Sequence, residues 1–351
     1  MKYPAVLSFA DILPELDGFD AIIDVRSEGE FALDHLPGAI NCPVLKDEER
    51  ERVGTLYKQV NAFEAKKVGA ALVARNIAEH LETRFSDKPR DWKPLVYCWR
   101  GGNRSGAMAH ILAKVGWPAI QLDGGYKAYR AHVSAALDNP PELAWRVICG
   151  TTGSGKSRLL ETLDALGAQV LDLERLAAHR GSVLGHLPHA PQPTQKMFES
   201  RIWDTLRRFD PQRPLFVESE SKKVGNLRVP DAVMERMRGA PCIALALSRR
   251  NRVRLLMEDY QHFACDPQAL NGQLDHLAQL HGRAKIDAWH ALANRGAMPE
   301  LVEQLLVEHY DPAYLRSIDR NFVQYGQARV LELDDIAPGD FARAAQTLHA
   351  A

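Results

Sequence analysis

Cys98 is the first residue on which a chemistry can be argued. It ends an apolar run and opens "CWRGGNRSG", so Trp99, Arg100, Gly101, Gly102, Asn103 and Arg104 lie between the thiol and a helix-forming stretch. A strand, a Gly-rich turn and a helix N-terminus bring backbone N–H groups to one point, and such a point binds an anion. A thiol placed there is favoured as the thiolate, which is the nucleophilic form. Gly101 and Gly102 let the backbone turn without Cβ clashes. Arg104, at the helix start, is suited to clamping a phosphate or a sulfur oxyanion. Cys98 is therefore the expected nucleophile and the loop its oxyanion cradle.

A second cradle follows. "GTTGSGKS" places Gly150, Thr151, Thr152, Gly153, Ser154, Gly155, Lys156 and Ser157 between apolar "WRVIC" and helix-like "KSRLLETLDALG". This fits G-x-x-x-x-G-K-[ST] in its required setting, strand before and helix after. The amides wrap one phosphate, Lys156 reaches a second, and Ser157 is a candidate Mg²⁺ ligand. The pattern selects a diphosphate and leaves the rest of the ligand open, ATP and GTP included. An acid or a metal-associated carboxylate is expected at the end of a neighbouring strand. Glu218 is the first candidate, with Glu220 and Asp172 behind it. Helix capping or solvation is the alternative for each.

Charge adds a third feature. Residues 201–254 hold 13 Lys plus Arg and 6 Asp plus Glu, 13 − 6 = +7, in a chain of net charge −1. Lys222, Lys223, Arg249, Arg250, Arg252 and Arg254 are its densest points. They suit a lid over phosphates or a footprint on an RNA backbone, and the sequence does not choose.

The elements that must carry these loops alternate. "AIIDV", "LVYC" and "AIQL" read as buried strands separated by helical stretches, and "WRVIC", "AQVLDLE", "PLFVES" and "CIALALS" repeat the pattern. "ARVLELD" (328–334) is a candidate last strand. The fold class is α/β with parallel sheets. Two prolines in "LDNPPELAW" mark a break. The expected domains are 1–137 around Cys98, a linker 138–144, and a phosphate-loop domain 145–351 with helical additions. Residues 47–88, opening with "DEERER", are a polar, helix-prone insertion read as a solvated face. The 351 residues suffice for two cores. No apolar run approaches the roughly 20 residues of a membrane helix. The N-terminus lacks a signal-peptide pattern. The five cysteines include no C-x-x-C pair, so a disulfide framework or zinc site is not expected and a reducing, cytoplasmic setting is.

"IIDVRSEGEFALDHLPGAINCPV" (22–44) followed by "VYCWRGGNRSG" resembles the rhodanese-like superfamily. The resemblance implies scaffold roles for Asp24 and Arg26. Counting Cys98 to Arg104 gives seven residues, where sulfur-carrying rhodaneses have six. The longer loop is similar to those of rhodanese-like phosphatases and arsenate reductases, and suits a tetrahedral oxyanion. With "GTLYKQVNAFEAKKVGAALVARNIAEH", "LDGGYKAYR" and "HRGSVLG", residues 5–345 resemble the bacterial tRNA 2-selenouridine synthase family. That resemblance implies action on wobble 2-thiouridine of tRNA: geranylation of the sulfur from geranyl diphosphate, then exchange for selenium from selenophosphate. It also implies a selenophosphate-producing enzyme as donor source. On this reading the phosphate loop holds geranyl diphosphate. The Cys98 thiolate attacks the selenium of selenophosphate and releases phosphate, and Trp99 is a candidate stacking platform for the uridine. Two enzymatic alternatives are a rhodanese-type sulfurtransferase, which would use thiosulfate, and a nucleotide-dependent kinase or ATPase acting on RNA. A third is an RNA-binding adaptor that would survive loss of Cys98. The oligomeric state stays open.

Overall fold

The computed structural model describes residues 3–180, 191–261 and 266–350. The chain forms two compact units, Met1–Leu137 with Thr194–Asp204, and Asp138–Pro193 with Thr205–Ala351.

The first unit is built on five parallel strands, β1 (Ala5–Leu7), β2 (Ala21–Asp24), β3 (Ala39–Asn41), β4 (Pro94–Tyr97) and β5 (Ile120–Leu122), in the order β1-β5-β4-β2-β3. The central strands are apolar without alternation because helices cover both faces of a parallel sheet. Every residue of β4 is buried. Ile23, Val96, Met108, Leu112 and Trp117 belong to one core. The edge strands β1 and β3 escape the sequence reading, since each is three residues long and buries none of them. The insertion forms two helices, Asp47–Gln59 and Ala62–His80. The first buries no residue, as a solvated face should, whereas the second buries Ala65, Gly69, Leu72 and Asn76 on one stripe.

The sequence reading gives residues 145–351 to the second domain, but 194–204 pack in the first unit. The cause is long-range. Trp203 packs against Phe9 and Tyr129. Ser200 Oγ donates to Asp34 Oδ1 at 2.8 Å, and Arg130 pairs with Glu199.

The second unit holds β6 (Ala144–Cys149), β7 (Gln169–Leu171), β8 (Pro214–Glu218), a two-stranded antiparallel ribbon of β9 (Lys223–Val224) and β10 (Leu227–Arg228), β11 (Cys242–Leu247) and β12 (Arg329–Leu333). The main sheet is parallel, in the order β12-β11-β6-β8-β7. Helix Lys156–Ala165 and the closing helix Pro338–His349 bury Leu159, Leu163, Phe341 and Ala345 in the same core as Ile148 of β6. Helices between Pro267 and Leu305 form a separate core around Leu274, Trp289 and Leu301. Gly181 to Gly185 of "HRGSVLG", the "HF" that ends "RRNRVRLLMEDYQHF" and Cys265 lie outside the described residues.

Candidate active site

Cys98 follows the C-terminal end of β4, and helix Asn103–Val115 begins five residues later. The loop is closed by Gly102, whose φ of 73° lies in the left-handed region that favours glycine. Cys98 is 3% exposed, so its sulfur lies at the foot of the loop. Ser105, wholly buried, donates from Oγ to Cys98 Sγ at 3.3 Å. That donor ties the sulfur to the first turn of helix Asn103–Val115. Nothing in the sequence separates Ser105 from the helix caps it resembles.

A second element braces the loop. Helix Gly125–Asp138 starts against it, with Tyr126 N donating to Cys98 O at 2.7 Å and Lys127 N to Trp99 O at 3.0 Å. Tyr126 stacks on Trp99 with ring centroids 5.2 Å apart, and its hydroxyl donates to Asp34 Oδ2 at 2.8 Å. The Arg26 guanidinium lies 4.1 Å from the Tyr126 ring centroid, is bonded to Asp24 through Nε and Nη2, and donates to Asp34 O at 2.6 Å. Asp24 and Arg26 are fully enclosed and work as scaffold. Gly125 is where the helix comes closest: its φ is +53°, and a Cβ there would stand 2.3 Å from Cys98 O. Gly125→Ala is therefore expected to displace the thiol loop and cut turnover at least about tenfold, since misplacing a reacting group by about 1 Å costs more than that. Alkylation of Cys98 by iodoacetamide checks this. A wild-type alkylation rate with wild-type turnover would remove Gly125 from the site.

Arg104, the candidate oxyanion clamp, has a carboxylate partner in this structure. Its Nη1 donates to Glu30 Oε2 at 2.9 Å, and Arg50 Nε lies 3.2 Å from the same oxygen. These two cations hold the Glu30 carboxyl below its ordinary range despite burial, the largest influence, which acts upward. Arg104 is thus engaged at the rim of the loop. Arg100 and Gly101 are exposed, while Gly102 packs against Gln121.

The phosphate loop runs from Gly150, after β6, into helix Lys156–Ala165, with Gly153 and Gly155 at φ 76° and 90°. A Cβ on Gly155 would meet the Phe341 ring at 2.6 Å. Lys156 Nζ donates to Gly150 O at 2.6 Å, and Gly150 N to the Tyr314 hydroxyl at 2.6 Å. Ser157 Oγ donates to Glu174 Oε2 at 2.9 Å. Thr152, Gly153, Ser154, Gly155, Lys156 and Ser157 line one side of a cavity of about 660 Å³, with Glu174, Glu220, Arg180 and Tyr314 on its other walls. An apolar recess of Leu270, Met298, Leu301 and Leu305 adjoins it, and the two share Thr152, Leu256, Tyr260 and Tyr310. Tyr314 and Glu174 are invisible as site residues in the sequence, because only tertiary packing brings them to the loop.

The carboxylates divide by environment. Asp172 caps helix Leu173–Ala177, accepting from Arg175 N at 2.7 Å, and also lines the cavity. Glu218 ends β8, 2% exposed; its Oε1 accepts from Glu174 N at 2.9 Å and its Oε2 has no hydrogen-bond partner among the described residues. Burial pushes the Glu218 carboxyl well above its ordinary range, and the negative Asp172, Glu174 and Glu220 push it further. Burial, then Glu174, lifts Glu220 to about 8, against the pull of Lys156. The folded chain therefore keeps the Glu220 proton through pH values at which an unfolded carboxyl, near 4.3, has lost it. Stability contributed by this proton falls as pH rises from about 4.3 through 8. Glu220→Gln has no proton to lose, so its melting temperature relative to wild type is expected to climb across that window and level off above it. Parallel melting curves from pH 5 to 9 for both proteins would overturn this.

The basic residues separate likewise. Arg249, Arg250 and Arg254 are exposed, with Arg254 paired to Asp335 at 2.6 Å. Lys222 pairs with Asp231 at 2.6 Å, and Lys223 is exposed. Arg252, grouped with them by sequence, is instead 6% exposed. Its guanidinium forks onto Asp311 at 2.5 and 3.0 Å and donates from Nε to Thr152 O at 2.9 Å. Helix Arg249–Asp259 buries Asn251, Arg252 and Leu255, so Arg252 braces the phosphate loop and is withdrawn from any RNA surface.

A thiol loop on one parallel sheet and a phosphate loop on another define a rhodanese-like unit joined to a phosphate-loop unit. Family comparison agrees. Residues 9–132 match the rhodanese-like domain, and residues 143–283 match the tRNA 2-selenouridine synthase AAA domain. A tRNA 2-selenouridine synthase from Hydrogenovibrio crunogenus is 36% identical over 71% of this chain and 72% of its own. One from Shewanella halifaxensis is 30% identical over 85% and 89%. One from Nitrosomonas europaea is 36% identical over 68% of this chain, a match spanning 63% of its own length. The chain belongs to the tRNA 2-selenouridine synthase family. Among the described residues no helix is long and apolar enough to cross a membrane.

Proposed function

We propose that this chain converts wobble 2-thiouridine of tRNA to 2-selenouridine through an S-geranyl intermediate. The observation that carries the reading is the pairing, in one chain, of a buried thiol under a seven-residue loop with a phosphate loop beside an apolar recess. In the first step the thiocarbonyl sulfur attacks C1 of geranyl diphosphate. A C–S bond forms, the C–O bond breaks, the base gives up its N3 proton to solvent, and diphosphate leaves onto the amides of Gly153 to Lys156 and the Lys156 ammonium. The recess at Leu270, Met298 and Leu301 takes the hydrocarbon chain. Ser157 and Glu174, an oxygen donor pair, would hold Mg²⁺, which usually takes one or two carboxylates and completes its shell with phosphates and water.

Selenium enters in the second step, and electron bookkeeping corrects the sequence reading here. Attack of a thiolate on selenium would expel phosphorus with the bonding pair, as phosphite rather than phosphate. Attack of Cys98 Sγ on phosphorus balances: an S–P bond forms, the P–Se bond breaks, and hydrogen selenide anion is released at the loop. That anion adds to C2 of the alkylated base and expels geranylthiolate, which takes up a proton. Water then cleaves the S–P bond to phosphate, with the Cys98 thiolate leaving under the Ser105 hydroxyl. Arg249, Arg250, Arg254, Lys222 and Lys223 offer the tRNA backbone a basic surface.

Mass analysis of a 2-thiouridine anticodon stem-loop incubated with each donor tests the reading. Geranyl diphosphate alone should give the S-geranyl product, and both donors together 2-selenouridine. Thiosulfate-dependent cyanide sulfuration or RNA-stimulated ATP hydrolysis, with unchanged RNA mass, would overturn it.

A further inference from the structure

The tip of the hairpin of helices Asp47–Gln59 and Ala62–His80 lies outside both cradles and has an unusual surface. Tyr57, Val60 and Phe63 are 61%, 59% and 68% exposed, three large apolar groups within seven residues on either side of the turn. Large apolar groups left exposed this close together suit a binding surface. Cations surround it. Residues 52–67 contain Arg52, Lys58, Lys66 and Lys67 against Glu64 alone, 4 − 1 = +3. Lys67 pairs with Glu64 and lies 5.1 Å from the Phe63 ring centroid. Arg52, Lys58 and Lys66 are exposed. The opposite end of the hairpin has the reverse character: Asp47, Glu48 and Glu49 fill its first turn, and Lys46 pairs with Glu79.

That opposite end is tied to the thiol loop. Arg50 and Arg104 share Glu30 Oε2, at 3.2 and 2.9 Å. From Arg50 to Tyr57 the helix rises about 10 Å. A base at the tip and a base at the thiol loop can therefore belong to one short stretch of RNA.

We infer that the tip grips the tRNA substrate, stacking an unpaired base near the modified one on Tyr57 or Phe63 while Lys58 and Lys66 meet phosphates. Exposed aromatics provide stacking platforms that accept any base, and neighbouring cations follow the backbone. The local charge favours RNA over a protein partner, because residues 52–67 carry +3 and the one acid among them is already paired. This inference rests on the proposed function, since it takes tRNA as the substrate.

Two variants of the full chain test it, Tyr57→Ala/Phe63→Ala and Lys58→Gln/Lys66→Gln, with binding of 2-thiouridine tRNA measured across a salt series. All four side chains are exposed, so melting curves should match wild type. The aromatic variant is expected to bind about 10- to 100-fold more weakly with an unchanged salt slope, the effect of losing one stacked base. The lysine variant should flatten the slope of log affinity against log salt by about 0.7 for each phosphate it no longer neutralises. In both, KM for tRNA should rise while kcat at saturating tRNA holds. Wild-type affinity and KM in the aromatic variant would overturn the inference and leave the proposed function standing. A wild-type chain that binds this tRNA no better than heparin would overturn both. If the aromatic substitutions leave tRNA affinity intact but turn a dimeric wild type into monomers, the tip is a protein interface and the inference fails.

Discussion

Cys98→Ser will abolish selenium incorporation into RNA while leaving S-geranylation in place. Serine keeps the shape of the foot of the loop and its contact with Ser105, but an alcohol is a far weaker nucleophile than a cysteine sulfur. Losing the nucleophile of a covalent step removes its whole contribution, so the fall should be at least about 10³-fold. Geranylation should persist because its diphosphate cradle belongs to the other unit. The measurement is mass analysis of the anticodon with both donors: wild type gives 2-selenouridine, whereas the serine variant accumulates the S-geranyl species. Quenched wild type should also carry a phosphoryl group on Cys98 when mixed with selenophosphate alone. Selenouridine formed by the variant at the wild-type rate would overturn the nucleophile assignment. A selenium adduct on Cys98 in place of phosphorus would overturn attack at phosphorus.

Both cradles were legible because each is written in consecutive residues: strand, glycines, helix. The two parallel sheets followed from the same alternation, and the structure has them. What stayed hidden depends on direction and distance. Charge counting groups Arg252 with cations suited to a phosphate lid or an RNA backbone, but Asn251, Arg252 and Leu255 line the buried stripe of their helix, which brings its guanidinium to Asp311, 59 positions away. The place of Arg104 at the helix start suits an anion clamp, while its partner Glu30, 74 positions back, is not readable from the sequence. The supports of the thiol, Gly125 and Tyr126, belong to "LDGGYKAYR", and their meaning comes from a carbonyl contact that no local pattern encodes. Residues 194–204 neighbour the second unit in sequence, whereas Trp203 and Ser200 find their partners in Phe9, Tyr129 and Asp34.

Lys156→Ala will suppress geranyl transfer by roughly 10²-fold or more, the range expected when one preorganised charge is removed from a leaving group. The lysine sits on the first turn of helix Lys156–Ala165, where the free amides of the helix end already favour an anion, so the substitution removes the mobile charge and keeps the amide cradle. The effect should therefore fall on turnover more than on folding. One structural consequence goes the other way. Lys156 is the cation that pulls down the raised carboxyls of Glu174 and Glu220. Without it both acids should hold their protons to higher pH, and the alanine variant should lose more stability than wild type on going from pH 6 to pH 9. Phosphorylation of Cys98 by selenophosphate should be unaffected, since that thiol lies in the other unit. Geranylation at the wild-type rate in Lys156→Ala would separate the phosphate loop from the alkylation step. Joint loss of geranylation and of Cys98 phosphorylation would show that the two cradles do not divide the reaction between them.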